Sequence, residues 1–255
     1  MIKMPMKSPA ILAAVALLFA WNAAQAGSKA LFFASESEEE STRIALSVSD
    51  DGSVSGTKTW QPAEGHGARG WLDGVVNGDV IQVLYSYEIE GSEQSEEMVL
   101  KIADGKLLIG EGELVDGGDG RMNLKEPNKV GFTKSLEMVE FTEPKAGTAE
   151  RKAIMDSMRV PVAEYAGEAV TFTGKIRVIG QWARFTGSVA ATDGSPPETD
   201  GIAADMELDF AAFLFKDENG KWRTLHWGFA GDTSVLTGAQ EEYPKAPWPL
   251  FEWVD

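Results

Sequence analysis

Hairpin dipeptides recur through the first half of the sequence, and they constrain the fold more than any other feature. Asp51-Gly52, Asn77-Gly78 and Asp104-Gly105 each stand between strand-like runs. Asn-Gly and Asp-Gly tolerate the positive φ that two-residue hairpin turns require. Because such a turn joins strands that are neighbours in the sheet, we predict successive antiparallel hairpins in this half of the chain.

The runs between these turns alternate between apolar and polar residues. Within 80–89, the odd positions place Tyr85 and Tyr87 on one face with three isoleucine or valine side chains, and the even positions are mostly polar. Residues 27–143 therefore predict an all-β domain of seven to nine short strands, either an antiparallel barrel or a sandwich. Successive hairpins favour an up-and-down barrel that is similar to lipocalins.

The second half of the sequence has a different pattern, and residues 143–147 fit a short linker. Thr148 is positioned to cap a helix that Pro161 should end or kink. Four strand-like runs follow, at 170–179, 181–191, 206–216 and 221–229. Residues 148–255 thus predict an α+β domain with one helix, four antiparallel strands and an extended aromatic tail, and the whole chain is mainly β.

Three short motifs in this half resemble a module of bacterial exported proteins of unknown function. They are the segments 153–159, 178–183 and 219–223, and the second carries Gln181 where the module usually has an acidic residue before Trp-Ala. The resemblance implies a cystatin-like or nuclear-transport-factor-2-like (NTF2-like) fold and an exported protein. It implies no activity and no catalytic residue.

The first 26 residues have the order of a cleavable signal peptide. Lys3 and Lys7 precede an apolar run, and Ala24-Gln25-Ala26 supplies a small-x-small cleavage site. The run is too short for a membrane span, which needs about 20 residues. We expect an exported protein in the periplasm, with secretion as the alternative, and no transmembrane segment in the mature chain.

Charge and cysteine content exclude several classes of function. The formal net charge of −17 repels phosphate backbones, so we expect no nucleic-acid partner. The chain has no cysteine, which excludes disulfides, cysteine nucleophiles and thiolate metal sites. Its two histidines, His66 and His226, lie far apart in the sequence and match no metal-binding spacing. We predict neither a metal site nor a cofactor.

A glycine-rich segment at 65–70 matches G-x-G-x-x-G but is not followed by a helical pattern, so it does not predict a dinucleotide site. Its residues His66 and Arg69 instead suggest polar contacts to a ligand at the barrel mouth. Tyr85 and Tyr87, on the inward face, would contribute to the same site. The predicted ligand is small and apolar.

A second candidate site lies in the α+β half. Strict alternation groups His226 with Trp222 and Thr224 on one strand face, and a suitable register would bring it beside Asp209 and Arg184 as an acid–base site. A solvated sheet face, or a buried His226, is the alternative.

The sequence leaves three functions open. We expect a non-catalytic binding or interaction module of the cell envelope. The alternatives are a small-pocket enzyme using His226 and Asp209, and a structural or assembly factor that binds an envelope protein through the aromatic tail or a sheet edge.

Overall fold

The structure, a computed structural model, describes residues 27–118, 120–197, 209–229 and 234–252. The expected signal peptide, residues 1–26, lies outside the described residues. In the described part the chain forms a ten-stranded sheet and, after it, a separate four-stranded sheet.

Eight antiparallel strands close into a barrel, which confirms the predicted barrel and excludes the sandwich. Each of the first seven strands pairs with the next one, β5 with β6 included, and the last strand, β10, pairs with both β7 and β1. The barrel strands are β1 (Ser28–Glu36), β2 (Glu40–Ser49), β3 (Ser53–Pro62), β4 (Ala68–Asn77), β5 (Val80–Ile89), β6 (Ser92–Ala103), β7 (Lys106–Glu111) and β10 (Gly131–Met138).

A short hairpin interrupts the up-and-down order. Strands β8 (Leu114–Gly118) and β9 (Arg121–Leu124) lie between β7 and β10, and β9 pairs in parallel with the edge of β6 at Ser95 and Glu96. The first half therefore has ten strands rather than the predicted seven to nine, because this hairpin adds two beyond the eight that close the barrel.

Two glycines let β4 approach β5 closely. A Cβ added at Gly70 would lie 2.0 Å from the carbonyl oxygen of Ser86, and one at Gly74 would lie 2.0 Å from that of Gln82. No side chain can be accommodated at such distances, so glycine is required at both positions, where the backbone of β5 lies this close.

In the second half, helix α1 (Ala149–Ala166) packs across one face of the four-stranded antiparallel sheet. Thr148 caps it as predicted, its side chain accepting a hydrogen bond from the Arg151 amide. The helix does not end at Pro161 but continues to Ala166, and Gly167 closes it in the left-handed conformation. The strands are β11 (Val170–Ile179), β12 (Trp182–Ala191), β13 (Asp209–Lys216) and β14 (Trp222–Phe229).

A second helix and the segment after it cover the opposite face of this sheet. Helix α2 spans Ser234–Glu242 and was not predicted from the sequence. The tail segment, residues 243–252, is not simply extended as expected, since Trp248–Leu250 form a 3-10 turn. Phe251 is buried against Phe213, and Tyr243 packs on Trp182.

The tail segment also packs against the outer wall of the barrel. Phe32, fully buried, points outward from β1 and contacts Phe141 and Trp248 edge to face. The buried Arg177 of β11 stacks on Phe32 and donates a hydrogen bond to the carbonyl of Pro249 at 3.2 Å. We call this contact between barrel, sheet and tail segment the seam.

Candidate functional site: the open end of the barrel

The inward side chains of the barrel change from aliphatic to polar and charged along its axis. At one end the inward side chains are aliphatic, and they form a closed core. On β3, inward Val54 belongs to that core, while Lys58 and Trp60 follow it towards the other end. On β6, Leu100 and Met98 give way to Glu96 in the same direction. The polar end is the open end of the barrel.

The open end contains a cavity of about 520 Å³. This volume lies within the range of small-molecule sites in proteins. Its wall combines aromatic, aliphatic and charged side chains, chiefly Lys58, Trp60, Tyr85, Tyr87, Ile89, Glu96, Glu97, Met98, Ile109, Glu111, Leu114, Leu124 and Lys134. A ligand in this cavity would meet apolar surface over most of its body and a few polar groups at fixed positions.

Lys58 is a largely buried charged group of the wall. Its side chain is 14% exposed, its Nζ lies 4.1 Å from the centre of the Tyr85 ring, and Glu96 Oε1 lies 3.6 Å from the same nitrogen. Loss of water around the ammonium lowers the pKa of Lys58 below its usual value, and the negative charge of Glu96 opposes that shift without cancelling it.

Tyr85 and Tyr87 stack on each other beside this lysine, with ring centres 4.5 Å apart. The Tyr85 hydroxyl donates to the backbone carbonyl of Lys58 at 3.3 Å, and the Tyr87 hydroxyl bonds the side chain of Gln94 at 3.1 Å. Burial raises the pKa of both phenols, and the charge of Glu96 adds to the effect. Both hydroxyls are therefore neutral hydrogen-bonding groups at physiological pH.

The rim of the cavity is polar. The Trp60 indole donates to Glu40 at 2.6 Å, and Lys134 lies 3.6 Å from the other oxygen of that carboxylate. The hydrogen bond from Trp60, more than the charge of Lys134, holds the pKa of Glu40 below its usual value. These contacts fix the orientation of Trp60 at the entrance.

The structure separates the four residues predicted to bind a ligand. Tyr85 and Tyr87 line the cavity on the inward face of β5, where the alternation places them. His66 is exposed in the loop before β4 and does not line the cavity. Arg69 points outward from the barrel, because its neighbours Ala68 and Gly70 take the inward positions, and it pairs with Glu252 at 3.5 Å.

The predicted acid–base residues do not come together as a group. Arg184 is buried on the seam side of the sheet, and its guanidinium donates to the carbonyls of Leu250 and Glu252. His226 pairs across the strands with Phe213, whereas Asp209 precedes Phe213 by four residues, about 13 Å along an extended strand. Only the backbone of Asp209 is described. The carboxylate near His226 is that of Glu242 on α2, at 3.7 Å.

The face predicted for His226 is also wrong in part. A register shift pairs Phe213 with His226 but Leu214 with Thr224, so Leu225 is an extra residue that reverses the alternation. As a result Trp222 and Trp227 both pack on the α1 side of the sheet, although strict alternation assigned them to opposite faces.

Lys58 was not predicted from the sequence as a residue of the site. The signal was present, because Lys58 occupies an even position of a strand whose other inward residues are Val54, Gly56 and Trp60. A lone lysine among inward positions is unusual, since lysine is almost never buried without a partner. Recognising it required the strand's register, which the turns alone did not supply.

Among the residues that the structure describes, no helix is long and apolar enough to cross a membrane. The same residues contain no group of three or more histidine or acidic side chains placed to hold a metal ion.

Comparisons with models of known protein families, with curated proteins and with solved structures gave no match to this chain. The fold and the cavity are therefore the basis for a functional proposal.

Proposed function

We propose that this protein is a non-catalytic binding protein of the cell envelope, and that the open end of its barrel holds a small ligand with an apolar body. The observation that carries the proposal is the cavity of about 520 Å³ around Tyr85 and Tyr87. Binding sites of this kind are concave and mostly apolar, with a few polar groups that fix the ligand's orientation.

The arrangement of the wall supports a binding role. The stacked Tyr85 and Tyr87 offer a flat aromatic surface, and Ile109, Leu114 and Leu124 offer aliphatic surface across the cavity. Burial of apolar ligand surface contributes roughly 25 cal/mol per Å². Lys58 and Glu96 then provide one cationic and one anionic group deep in the wall, where a polar group of the ligand would be recognised.

The cellular setting is part of the proposal. The order of residues 1–26 is typical of a cleaved leader, and a binding protein with this leader would work in the periplasm or after secretion. The proposed likeness to lipocalins for the barrel, and to cystatin-like or NTF2-like modules for the second sheet, agrees with a binding role. N-terminal sequencing of the protein from its own cells should begin at Gly27; a sequence beginning at Met1 would refute export by cleavage.

Native mass spectrometry tests the ligand directly. Protein purified from its own envelope should carry a bound small molecule, and the variant Ala68→Leu should lose it, because Ala68 lines the cavity and a larger side chain would fill part of it. Ala63→Leu makes the same change in an exposed loop and should retain the ligand. A wild-type protein without any ligand, or equal retention by Ala68→Leu, would contradict the proposal.

A further inference from the structure

Lys58 differs from the other lysine of the cavity wall in its surroundings. The side chain of Lys58 is 14% exposed, whereas that of Lys134, at the rim, is 58% exposed. The Lys58 ammonium lies against the face of Tyr85 and near one carboxylate, that of Glu96. It is thus an amine held in the wall of an apolar cavity, directly accessible to a ligand there.

An amine in such a place is chemically distinctive. Exclusion of water disfavours the ammonium form, and this lowers the pKa of Lys58. The neutral amine, which has a free electron pair, is the form that attacks carbonyl carbon, so desolvated lysines are suited to imine formation. Glu96, 3.6 Å from the nitrogen, is placed to accept the proton that the ammonium must lose.

The charges of the wall indicate which ligands fit. The lining contains three acidic residues, Glu96, Glu97 and Glu111, and two lysines, so a carboxylate ligand would add to an excess of negative charge. A cationic ligand would be repelled by the buried ammonium of Lys58. A neutral ligand with an apolar body avoids both repulsions, and an aldehyde is a neutral group that an amine can capture.

We propose that the cavity binds aldehydes with an apolar body and that Lys58 holds them covalently as an imine. This inference rests on the proposed function of the cavity and specifies its ligand class. Glu96 first takes a proton from the Lys58 ammonium. The Lys58 electron pair then forms a bond to the carbonyl carbon while the C=O π pair moves to oxygen, which takes that proton from Glu96. The nitrogen loses a second proton to Glu96, and the hydroxyl leaves as water when Glu96 returns this proton and the nitrogen electron pair forms the C=N bond. The products are the protonated imine and one molecule of water, and the carboxylate of Glu96 is restored.

The test uses trans-cinnamaldehyde as the probe and sodium cyanoborohydride, which reduces an imine to a stable secondary amine. Intact mass and peptide mapping should show one adduct, at Lys58, formed faster than at any other lysine, because the lowered pKa of Lys58 raises the neutral fraction of this amine and the cavity holds the aldehyde beside it. Lys58→Arg, which keeps the positive charge beside Glu96, should lose this adduct. Lys134→Arg should retain it.

Glu96→Gln provides a variant that keeps the amine. At a pH high enough to make the amine neutral in both proteins, it should slow adduct formation at Lys58, because the carboxylate that moves the proton is gone. It should also shift the rise of the rate to lower pH, because Glu96 no longer raises the pKa of Lys58. Adducts spread evenly over exposed lysines in the wild-type protein would overturn the inference, and so would an undiminished adduct yield in Lys58→Arg.

Cinnamyl alcohol, which has the same apolar body but cannot form an imine, separates this inference from the proposed function. Binding of the alcohol by calorimetry, together with no reduced adduct at Lys58, would refute the imine and leave the binding role intact. Failure of both the alcohol and the aldehyde to bind would refute the apolar-ligand site and the imine with it. Binding of the alcohol together with the Lys58 adduct supports both.

Discussion

Two regions of this protein bury cationic side chains in a β-sheet, and they differ in what surrounds the charge. In the seam, Arg177 and Arg184 donate to backbone carbonyls of the tail segment, and Arg177 also stacks on Phe32. In the barrel, Lys58 has one carboxylate and one aromatic ring beside it, and the rest of its surroundings is a cavity. The arginines hold segments of the chain together, while the lysine faces space that a ligand can fill.

The comparison shows how burial of a charge relates to function. A guanidinium that donates hydrogen bonds to several carbonyls recovers in the folded state the hydrogen-bonding free energy that it loses by leaving water. A lysine with a single partner recovers less, and burying such a pair contributes little to stability. We therefore expect the arginines to matter for stability and Lys58 to matter for binding.

The largest expected effect is that of Arg184→Met. The change leaves the carbonyls of Leu250 and Glu252 without this donor in a buried place and should lower the free energy of unfolding by about 3 kcal/mol. Urea unfolding followed by circular dichroism measures it. Arg223→Met removes the ion pair between the exposed Arg223 and the less exposed Asp217 and should lower that free energy by less than about 1 kcal/mol. Equal losses in the two variants would show that the seam does not depend on Arg184.

The matching change in the barrel is Lys58→Met combined with Glu96→Gln. It removes both charges of the partly buried pair, so we expect the free energy of unfolding to stay within about 1 kcal/mol of the wild-type value or to rise. The same urea experiment applies. A loss of more than about 2 kcal/mol would mean that the pair stabilises the barrel and that the two regions do not differ in the way described.

A third effect is a dependence on pH. The raised pKa of Tyr85 means that this phenol keeps its proton when the unfolded chain, whose tyrosines ionise near pH 10, has lost it. Above pH 10 the folded state therefore binds more protons, and stability falls as pH rises, by at most about 1.4 kcal/mol per pH unit. Tyr85→Phe has no phenol to ionise at this position. Its free energy of unfolding should therefore fall less than that of the wild type between pH 9 and 11. A constant difference across that range would contradict the burial of the phenol.

Much of the barrel could be predicted from the sequence because its signals are local. The Asp-Gly and Asn-Gly turns set which strands are neighbours, and the alternation in β5 set the inward face of Tyr85 and Tyr87. The contribution of Lys58 was missed since it depends on register across β3, β5 and β6 together. No single segment shows which residues meet across a barrel.

The candidate site in the second sheet shows a different limit. One extra residue, Leu225, reverses the faces of β14 and puts His226 on the opposite face from Trp222 and Thr224, with which strict alternation grouped it. Bulges leave no clear mark in a short strand. The seam could not be predicted from the sequence either, because Arg184 bonds a segment more than sixty residues away in the chain.

The most direct test of the account is a titration of 15N-labelled protein with cinnamyl alcohol, followed by nuclear magnetic resonance. We expect the largest changes in the amide signals of Lys58, Tyr87 and Ile109, which surround the cavity, and none at Arg177 or Arg184. Changes centred on the seam, or no change at millimolar alcohol, would contradict the claim that the open end of the barrel is the binding site and the seam is structural.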